Sequence, residues 1–186
     1  YGSHASVLDS FSAYVSQIKP TGRLFMRKGL ELADKTRAQV AEYSLNEGDY
    51  HAENVHIENA CFVFDAVYPK GRINNLTLQV PGFHNVENAI AAIAVGLETI
   101  SRLGIATKIS IVESGYMYTP LFGHFAATLA ADRVLNLDEA QTVNALGISY
   151  SQVAGNHQVT RDAALTKRMQ PGFAAMSALI SVQLAQ

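Results

Sequence analysis

The spacing of apolar residues changes near residue 84 of this chain, and that change limits what the chain can fold into. Between residues 38 and 80, apolar and polar residues alternate, as in "CFVFDAVY" (61–68), which is the pattern of half-buried β-strands. From "PGFHNVENAIAAIAVGLE" (81–98) onward, the apolar residues recur with the spacing of one face of an α-helix. The sequence therefore predicts a front half that contains strands and a back half built of helices alone.

The front half is predicted to be an α/β or α+β unit with a helix, short strands, an antiparallel meander and a long helix. Residues 3–18 have helical spacing, which ends at "KPTG" because Pro and Gly interrupt helices. "RLFM" (23–26) predicts a short strand. "HIENACFVFDAVYPKGRINNLTLQV" (56–80) alternates between turn signals, which is typical of an antiparallel meander. The long helix then runs from residue 84 to about residue 103.

The back half is predicted to be all-α. After a loop, helical spacing returns in three segments, of which the second is opened by Asp138 with Gln141 three positions later. This pair predicts a capping box. Pro171 suits the first turn of the last helix, where a missing N–H has no cost. The three segments are residues 121–135, 137–155 and 171–185.

Composition excludes several classes of function. The net charge is -2, the pI is near 6.3 and the basic residues are scattered, so no nucleic-acid surface is expected. The single cysteine, Cys61, cannot form an internal disulfide or a thiolate metal site, and its apolar neighbours indicate a buried hydrophobe. His51 and His56 are predicted to lie on opposite faces of one strand, so no metal site is expected.

We expect a cytoplasmic protein without a membrane segment. The first residues have neither the basic nor the apolar region of a signal peptide. The apolar C-terminal segment is only about 14 residues long, shorter than the roughly 20 residues that a membrane span requires.

"PGFHNVENAIAAIAVG", together with the preceding meander, resembles the central ATP-using domain of the Mur ligases, in the UDP-N-acetylmuramate–L-alanine ligase branch. The resemblance covers residues 1 to about 98. It implies that His84, Asn85 and Asn88 contact a nucleotide, with ATP and magnesium as cofactors. Asn85 and Asn88 are three apart at a helix start, and their amides offer the donors and acceptors that suit an adenine edge. The alternative is that His84 and Asn85 only cap the helix.

The parts that hold phosphate in a Mur ligase are missing from this sequence. No G-x-x-x-x-G-K-[ST] loop occurs among the 13 glycines. Such a loop is needed because its backbone N–H groups and lysine hold the phosphates. The amino-acid-binding domain of the family does not follow the HN-x-x-N helix either. We therefore expect at most weak nucleotide binding and no complete ligase activity.

From about residue 99 to the end, the chain resembles the MmgE/PrpD family, which includes 2-methylcitrate dehydratase and cis-aconitate decarboxylase. The resemblance is strongest in "TPLFGHFAATLAADRVLNLDEAQTVNALGISYSQVAG" and "RDAALTKRMQPGFAAMSALI". It implies a helical domain in which Lys167 and Arg168 hold the carboxylates of a di- or tricarboxylate substrate. The alternative is a solvated pair of cations at a helix start.

The departures from the MmgE/PrpD pattern concern acid–base groups. Gln170 stands where many members have a histidine before Pro-Gly, and Tyr118 lies where many have a histidine before the Thr-Pro-like stretch. Glutamine cannot exchange a proton near neutral pH. His124 and His157 are isolated in the sequence and are interpreted as packing or surface residues. No catalytic residue is assigned.

The two resemblances predict a chimera of two partial domains, residues 1–98 and 99–186, with a seam at about 94–101. Both parent classes, an ATP-dependent ligase and a carbon–oxygen or carbon–carbon lyase, lack essential parts here, so the chain alone is not expected to be a complete enzyme. The alternative is an MmgE/PrpD-like fragment that acts on a small di- or tricarboxylate with parts from a partner chain. Uncovered apolar surface is expected to favour homo-oligomers.

Overall fold

The chain divides into two compact units, Tyr1–Ala94 and Val95–Gln186, here called the front unit and the back unit. A computed structural model describes residues 4–186. Ser3, the first residue of the predicted N-terminal helix, lies outside the described residues. The order of elements confirms the predicted fold class, with helix and strands in the front half and helices alone in the back half.

The front unit contains one helix, a parallel pair of strands, an antiparallel meander and the start of a long helix. The sheet of two strands has the order β1-β2, and the sheet of three strands has the order β3-β4-β5, which confirms the predicted meander. The elements are α1 (His4–Ser16), β1 (Arg23–Arg27), a 3-10 turn (Ala33–Lys35), β2 (Gln39–Tyr43), β3 (His51–Glu58), β4 (Cys61–Tyr68), β5 (Gly71–Leu78) and α2 (Phe83–Ala106).

An apolar cluster joins α1 to the parallel strands. Val15 of α1 and Met26 of β1 are buried together with Leu32. Leu24 and Val40, from the two strands, pack against this cluster. Helical spacing in α1 and alternation in β1 therefore lead to one shared core, which is why these short elements are stable together.

Asp65, in the central strand β4, holds two bulges of the meander in place. Asn54 in β3 and Asn75 in β5 both have left-handed backbone, with φ of 54° and 55°. The pairing register shifts beside each of them. Asp65 accepts a hydrogen bond from the Asn54 amide at 2.7 Å and one from the Asn75 backbone N–H at 2.8 Å. These bonds hold the pKa of the Asp65 carboxyl below its usual range, since they favour its charged form.

The bulge in β3 corrects the prediction for the two histidines. His51 pairs with Val67 and His56 pairs with Val63, and residues 63 and 67 lie on the same face of β4. His51 and His56 therefore share a face, because the extra residue at the bulge reverses the alternation. Among residues 4–186, no group of three or more His, Cys, Asp or Glu side chains is placed to hold a metal ion.

Helix α2 begins in the front unit and continues into the back unit. Val86, Ile90, Ala91 and Ala94 are its buried residues, and all four belong to the front unit. By length and composition alone, α2 could cross a membrane, as could many core helices of soluble proteins. It is the one such helix in the part of the chain that the structure describes.

The back unit packs its helices on small residues. Ala126 of α3, Ala145 of α4 and Ala174 and Ala178 of α6 are all buried, which allows close approach of the helix backbones. Between α3 and α4, the buried hydroxyls of Thr128 and Ser149 lie 2.9 Å apart. Besides the end of α2, the helices are α3 (Tyr118–Leu135), α4 (Glu139–Ser151), α5 (Gln158–Arg161) and α6 (Thr166–Leu184).

The two predicted helix starts of the back unit have different outcomes. The capping box of α4 is confirmed, since Asp138 accepts from the Gln141 N–H at 2.9 Å and Gln141 accepts from the Asp138 N–H at 3.0 Å. The placement of Pro171 in the first turn of α6 is wrong, because that helix already begins at Thr166. A proline inside a helix leaves the carbonyl four residues earlier without its partner. Here that carbonyl belongs to Lys167, an exposed residue where water can replace the bond.

The depressed pKa of Asp65 predicts a pH-dependent stability of the meander. A carboxyl whose pKa is lower in the folded state stabilises the fold above its unfolded pKa of about 3.9 and loses that contribution as the pH falls further. We expect protection of the β4 amides against hydrogen exchange to fall below about pH 4. In Asp65→Asn this additional fall should be absent, whereas the exposed Asp9→Asn control should keep it. An equal fall in both variants would contradict this role of Asp65.

Candidate functional site

The three residues predicted to contact a nucleotide lie together at the start of α2. His84 and Asn88 are four positions apart and Asn85 and Asn88 are three apart, so the three side chains share one side of the helix. Val86 and Ile90, on other sides of the same turns, are almost completely buried. Burial of the apolar side therefore orients Asn88 and His84 towards solvent, where both are exposed.

Asn85 and Asn88 differ in whether their side-chain amides already have a hydrogen-bond partner within the chain. The Asn85 side-chain amide donates to the Pro81 carbonyl at 2.7 Å, and its backbone N–H donates to the Gly82 carbonyl at 3.0 Å. Asn85 thus closes the turn before the helix by donating to a carbonyl, whereas a capping side chain accepts from a helix N–H. The side chain of Asn88 makes no hydrogen bond within residues 4–186. Its amide therefore retains two donors and an acceptor for a ligand.

Gly82 determines where the His84 ring can lie. Its backbone has a φ of +114°, a value that residues other than glycine rarely adopt. A Cβ atom at this position would lie 2.5 Å from Cε1 of His84, far inside van der Waals contact. The imidazole therefore rests directly against the glycine backbone. This is the second reason, besides the turn itself, for the glycine in "PGFHN".

Glu87 ties the start of α2 to the parallel strands. Both of its carboxylate oxygens accept from Nε of Arg27, at 3.0 Å each. Arg27 is the last residue of β1, and its side chain is largely exposed, whereas that of Glu87 is mostly covered. The acidic residue of the "HNVEN" segment therefore serves to orient the helix and is not offered to a ligand.

In the back unit, Lys167 and Arg168 both line an open pocket of about 560 Å³. Neither cation forms an ion pair with an acidic side chain in the described part of the chain. The remaining wall is mostly apolar, with Thr119 and Thr160 as its two hydroxyl groups. Two cations and two hydroxyls around an apolar hollow suit a small organic anion. No acidic residue is among the residues that line this pocket.

Gln170 and His157, which are close in sequence to residues that line the pocket, each have a buried polar atom without a hydrogen-bond partner within residues 4–186. These atoms are Oε1 of Gln170 and Nδ1 of His157. The Gln170 amide donates to the Asn156 carbonyl at 3.2 Å, so Gln170 reaches the loop that contains His157. The prediction that His157 is a simple packing or surface residue does not anticipate this shielded nitrogen.

His124 and Tyr118 have structural surroundings. His124 is buried in α3, and its Nδ1 lies 2.7 Å from the Pro120 carbonyl, one helical turn earlier. Tyr118, at the start of α3, makes an edge-to-face contact with Phe122 at 5.7 Å between ring centres. Both side chains therefore make contacts within α3.

Sequence reasoning did not identify Thr119 and Thr160 as pocket residues. They lie on α3 and α5, far apart in sequence. The one signal in the sequence is Gly155, in the loop between α4 and α5. Its φ is +117°, and a Cβ atom there would lie 2.4 Å from Cγ of Pro120. This close approach brings the two segments to the same pocket.

Two family models match the chain, each over more than half of its length. The Mur ligase middle domain matches residues 2–96, and the MmgE/PrpD N-terminal domain matches residues 77–186. The two matches overlap at residues 77–96, which include the start of α2. Both predicted resemblances are thereby confirmed.

Similar curated proteins are named UDP-N-acetylmuramate–L-alanine ligase. The protein from Phocaeicola vulgatus is 45% identical over 97 residues, which are 51% of this chain and 21% of that protein. The protein from Christiangramia forsetii is 32% identical over 140 residues, 75% of this chain and 28% of that protein. The protein from Parabacteroides distasonis is 36% identical over 98 residues, with shares of 51% and 21%. The chain thus spans well under a third of each relative.

Contact between His84 and Gly82 predicts that Gly82→Ala changes the histidine environment. The added methyl group must displace the imidazole, and the strained backbone should lower the free energy of unfolding by about 1–3 kcal/mol. His84 should then show shifted imidazole resonances in NMR spectra. Gly104→Ala in α2 is the matched control, because a Cβ atom there meets nothing within 4 Å. It should leave the His84 signals in place, and unchanged signals in both variants would contradict the contact.

Proposed function

We propose that this chain, which belongs both to the Mur ligase middle-domain family and to the MmgE/PrpD N-terminal-domain family, is a chimera of two partial domains joined through α2. The overlap of the two matches at residues 77–96, which contain the start of the apolar helix α2, supports this. The division into units after Ala94 also supports it.

The proposed activity of the front unit is weak binding of an adenine nucleotide. The observation that carries this proposal is the exposed Asn88 amide at the start of α2, unpartnered within residues 4–186 and beside His84. An amide can donate to the ring nitrogen of adenine and accept from its amino group. Asn85 contributes through its remaining carbonyl oxygen, since its NH₂ group already binds Pro81.

We identify no corresponding site for phosphates or magnesium within residues 4–186. The sequence contains no phosphate-binding glycine loop, and residues 4–186 hold no cluster of metal-ligating side chains. An adenine contact alone gives little binding energy, so the affinity for ATP should be close to that for adenosine. We therefore propose no ligase turnover by this chain, although its kinship links it to peptidoglycan precursor synthesis in the cytoplasm.

Calorimetric titration of the chain with ATP tests this proposal. We expect saturable heat with a dissociation constant of about 1 mM, which corresponds to roughly 4 kcal/mol of binding free energy. Asn88→Ala should remove the heat without affecting the fold, because the side chain has no partner in the described chain. Asn144→Ala, an exposed asparagine in α4, is the matched control and should bind as the parent does. Equal binding by both variants, or none by the parent, would exclude the site.

A second candidate function is binding of a small di- or tricarboxylate in the pocket of the back unit. The specific observation in its favour is that Lys167 and Arg168, unpaired in the described chain, both line that pocket. Guanidinium groups bind carboxylates through paired, charge-assisted hydrogen bonds. Gln170 supplies no proton, so we propose binding by this chain, with turnover requiring groups from a partner chain.

Citrate is a suitable probe for this pocket. Arg168→Gln should weaken citrate binding roughly tenfold, as expected for loss of a charged hydrogen bond. Arg133→Gln, an exposed arginine near the end of α3, changes the net charge equally and should bind citrate as the parent does. Calorimetry at low ionic strength measures both. Equal weakening in the two variants would indicate a general charge effect and would exclude the pocket.

A further inference from the structure

Lys167 and Arg168 are successive residues in the first turn of α6, and both line the pocket of the back unit. The wall around them is mostly apolar, with Val159, Ala164 and Pro171 among its residues. An amine and a guanidinium at neighbouring positions of one wall can reach two adjacent groups of a single small ligand. A 2-oxo acid has such a pair of groups, since its carboxylate is bonded directly to its carbonyl carbon.

The amine of Lys167 has no acidic partner, which distinguishes it from two other lysines of the chain. The Lys28 amine donates to Glu47 at 2.8 Å. The Lys35 amine donates to Asp34 at 2.7 Å. These hydrogen bonds raise the pKa of both amines, because they favour the ammonium form, which is not nucleophilic. No acidic residue lines the pocket, and none forms an ion pair with Lys167 within residues 4–186.

We propose that Lys167 forms an imine with a small 2-oxo acid whose carboxylate is bound by Arg168. The neutral amine attacks the carbonyl carbon, and the new carbon–nitrogen bond gives a carbinolamine. Loss of water then leaves a carbon–nitrogen double bond. That water carries away the carbonyl oxygen and the two protons of the amine, so the step needs neither an oxidant nor a reductant.

Binding of the carboxylate before the reaction makes the chemistry selective for Lys167. A guanidinium binds carboxylates through paired, charge-assisted hydrogen bonds. Holding the carbonyl carbon next to the amine converts a bimolecular reaction into one within a complex, which raises its rate. This imine chemistry rests on the carboxylate binding proposed for the same pocket, and it adds a covalent step to that binding.

Reductive trapping of the full chain with glyoxylate and cyanoborohydride tests the proposal. Reduction of the imine leaves a carboxymethyl group on the lysine, which peptide mass spectrometry locates. At limiting glyoxylate, Lys167 should be labelled about tenfold faster than Lys108. Lys108 is the matched comparison, because it is exposed, lies outside the pocket and has no acidic partner among residues 4–186. Equal labelling of the two lysines would overturn the proposal.

Two controls separate carboxylate-directed chemistry from general lysine reactivity. Acetaldehyde has no carboxylate, so it should label Lys167 and Lys108 at similar rates. Arg168→Gln should remove the preference of glyoxylate for Lys167, whereas Arg133→Gln, at an exposed position of α3, should keep it. A preference that persists in Arg168→Gln would contradict the proposed role of the guanidinium.

Citrate distinguishes failure of the imine chemistry from failure of the carboxylate pocket. Because citrate competes for Arg168, it should slow glyoxylate labelling of Lys167 and leave that of Lys108 unchanged. Equal labelling of the two lysines in a chain that binds citrate by calorimetry would refute the imine alone. Equal labelling in a chain that gives no citrate heat would refute the carboxylate pocket as well.

Discussion

Continuity of α2 is the constraint on which the rest of this structure depends. One helix of 24 residues belongs to two units, and its buried residues all lie in the part that belongs to the front unit. In the front unit, Val86, Ile90 and Ala94 have almost no exposure. In the back unit, Gly96 lies beside α3, where a Cβ atom would be in ordinary van der Waals contact with the Ala126 carbonyl at 3.8 Å. Two families with the same helical period can share such a helix, and the family matches overlap over its start.

The polar groups around this helix show how much of each site was predictable. His84, Asn85 and Asn88 are neighbours in sequence, so helical spacing alone brings them together. Only the structure separates their roles, since Asn85 closes a turn and Asn88 stays available. The residues of the back-unit pocket could not all be predicted from helical spacing. Lys167 and Arg168 were predictable as a basic pair, whereas Thr119 and Thr160 reach them only through packing of distant segments.

Asp65 illustrates the same limit within the fold. Alternation of apolar residues predicts β3, β4 and β5 correctly, because each strand needs a buried side. The carboxylate of Asp65 sits at the point where the ladder shifts on both neighbouring strands, and two left-handed asparagines bind it. The extra residue at one bulge moves His56 to the face of His51. The alternation of apolar residues does not predict that change, because the bulge in β3 depends on a hydrogen bond to the Asp65 carboxylate of the neighbouring strand β4.

The sequence by itself determined the features that neighbouring residues encode. These are the change of period near residue 84, the capping box at Asp138 and Gln141, the cluster at the start of α2 and the lack of a phosphate loop. Only the tertiary structure decided the start of α6 at Thr166, the burial of Gln170 and the exposure of Met169, Phe173 and Met176 on α6. The physical reason is the sequence separation over which each interaction acts. Backbone sterics and helical spacing act between residues a few positions apart, whereas burial depends on which distant segments cover a side chain.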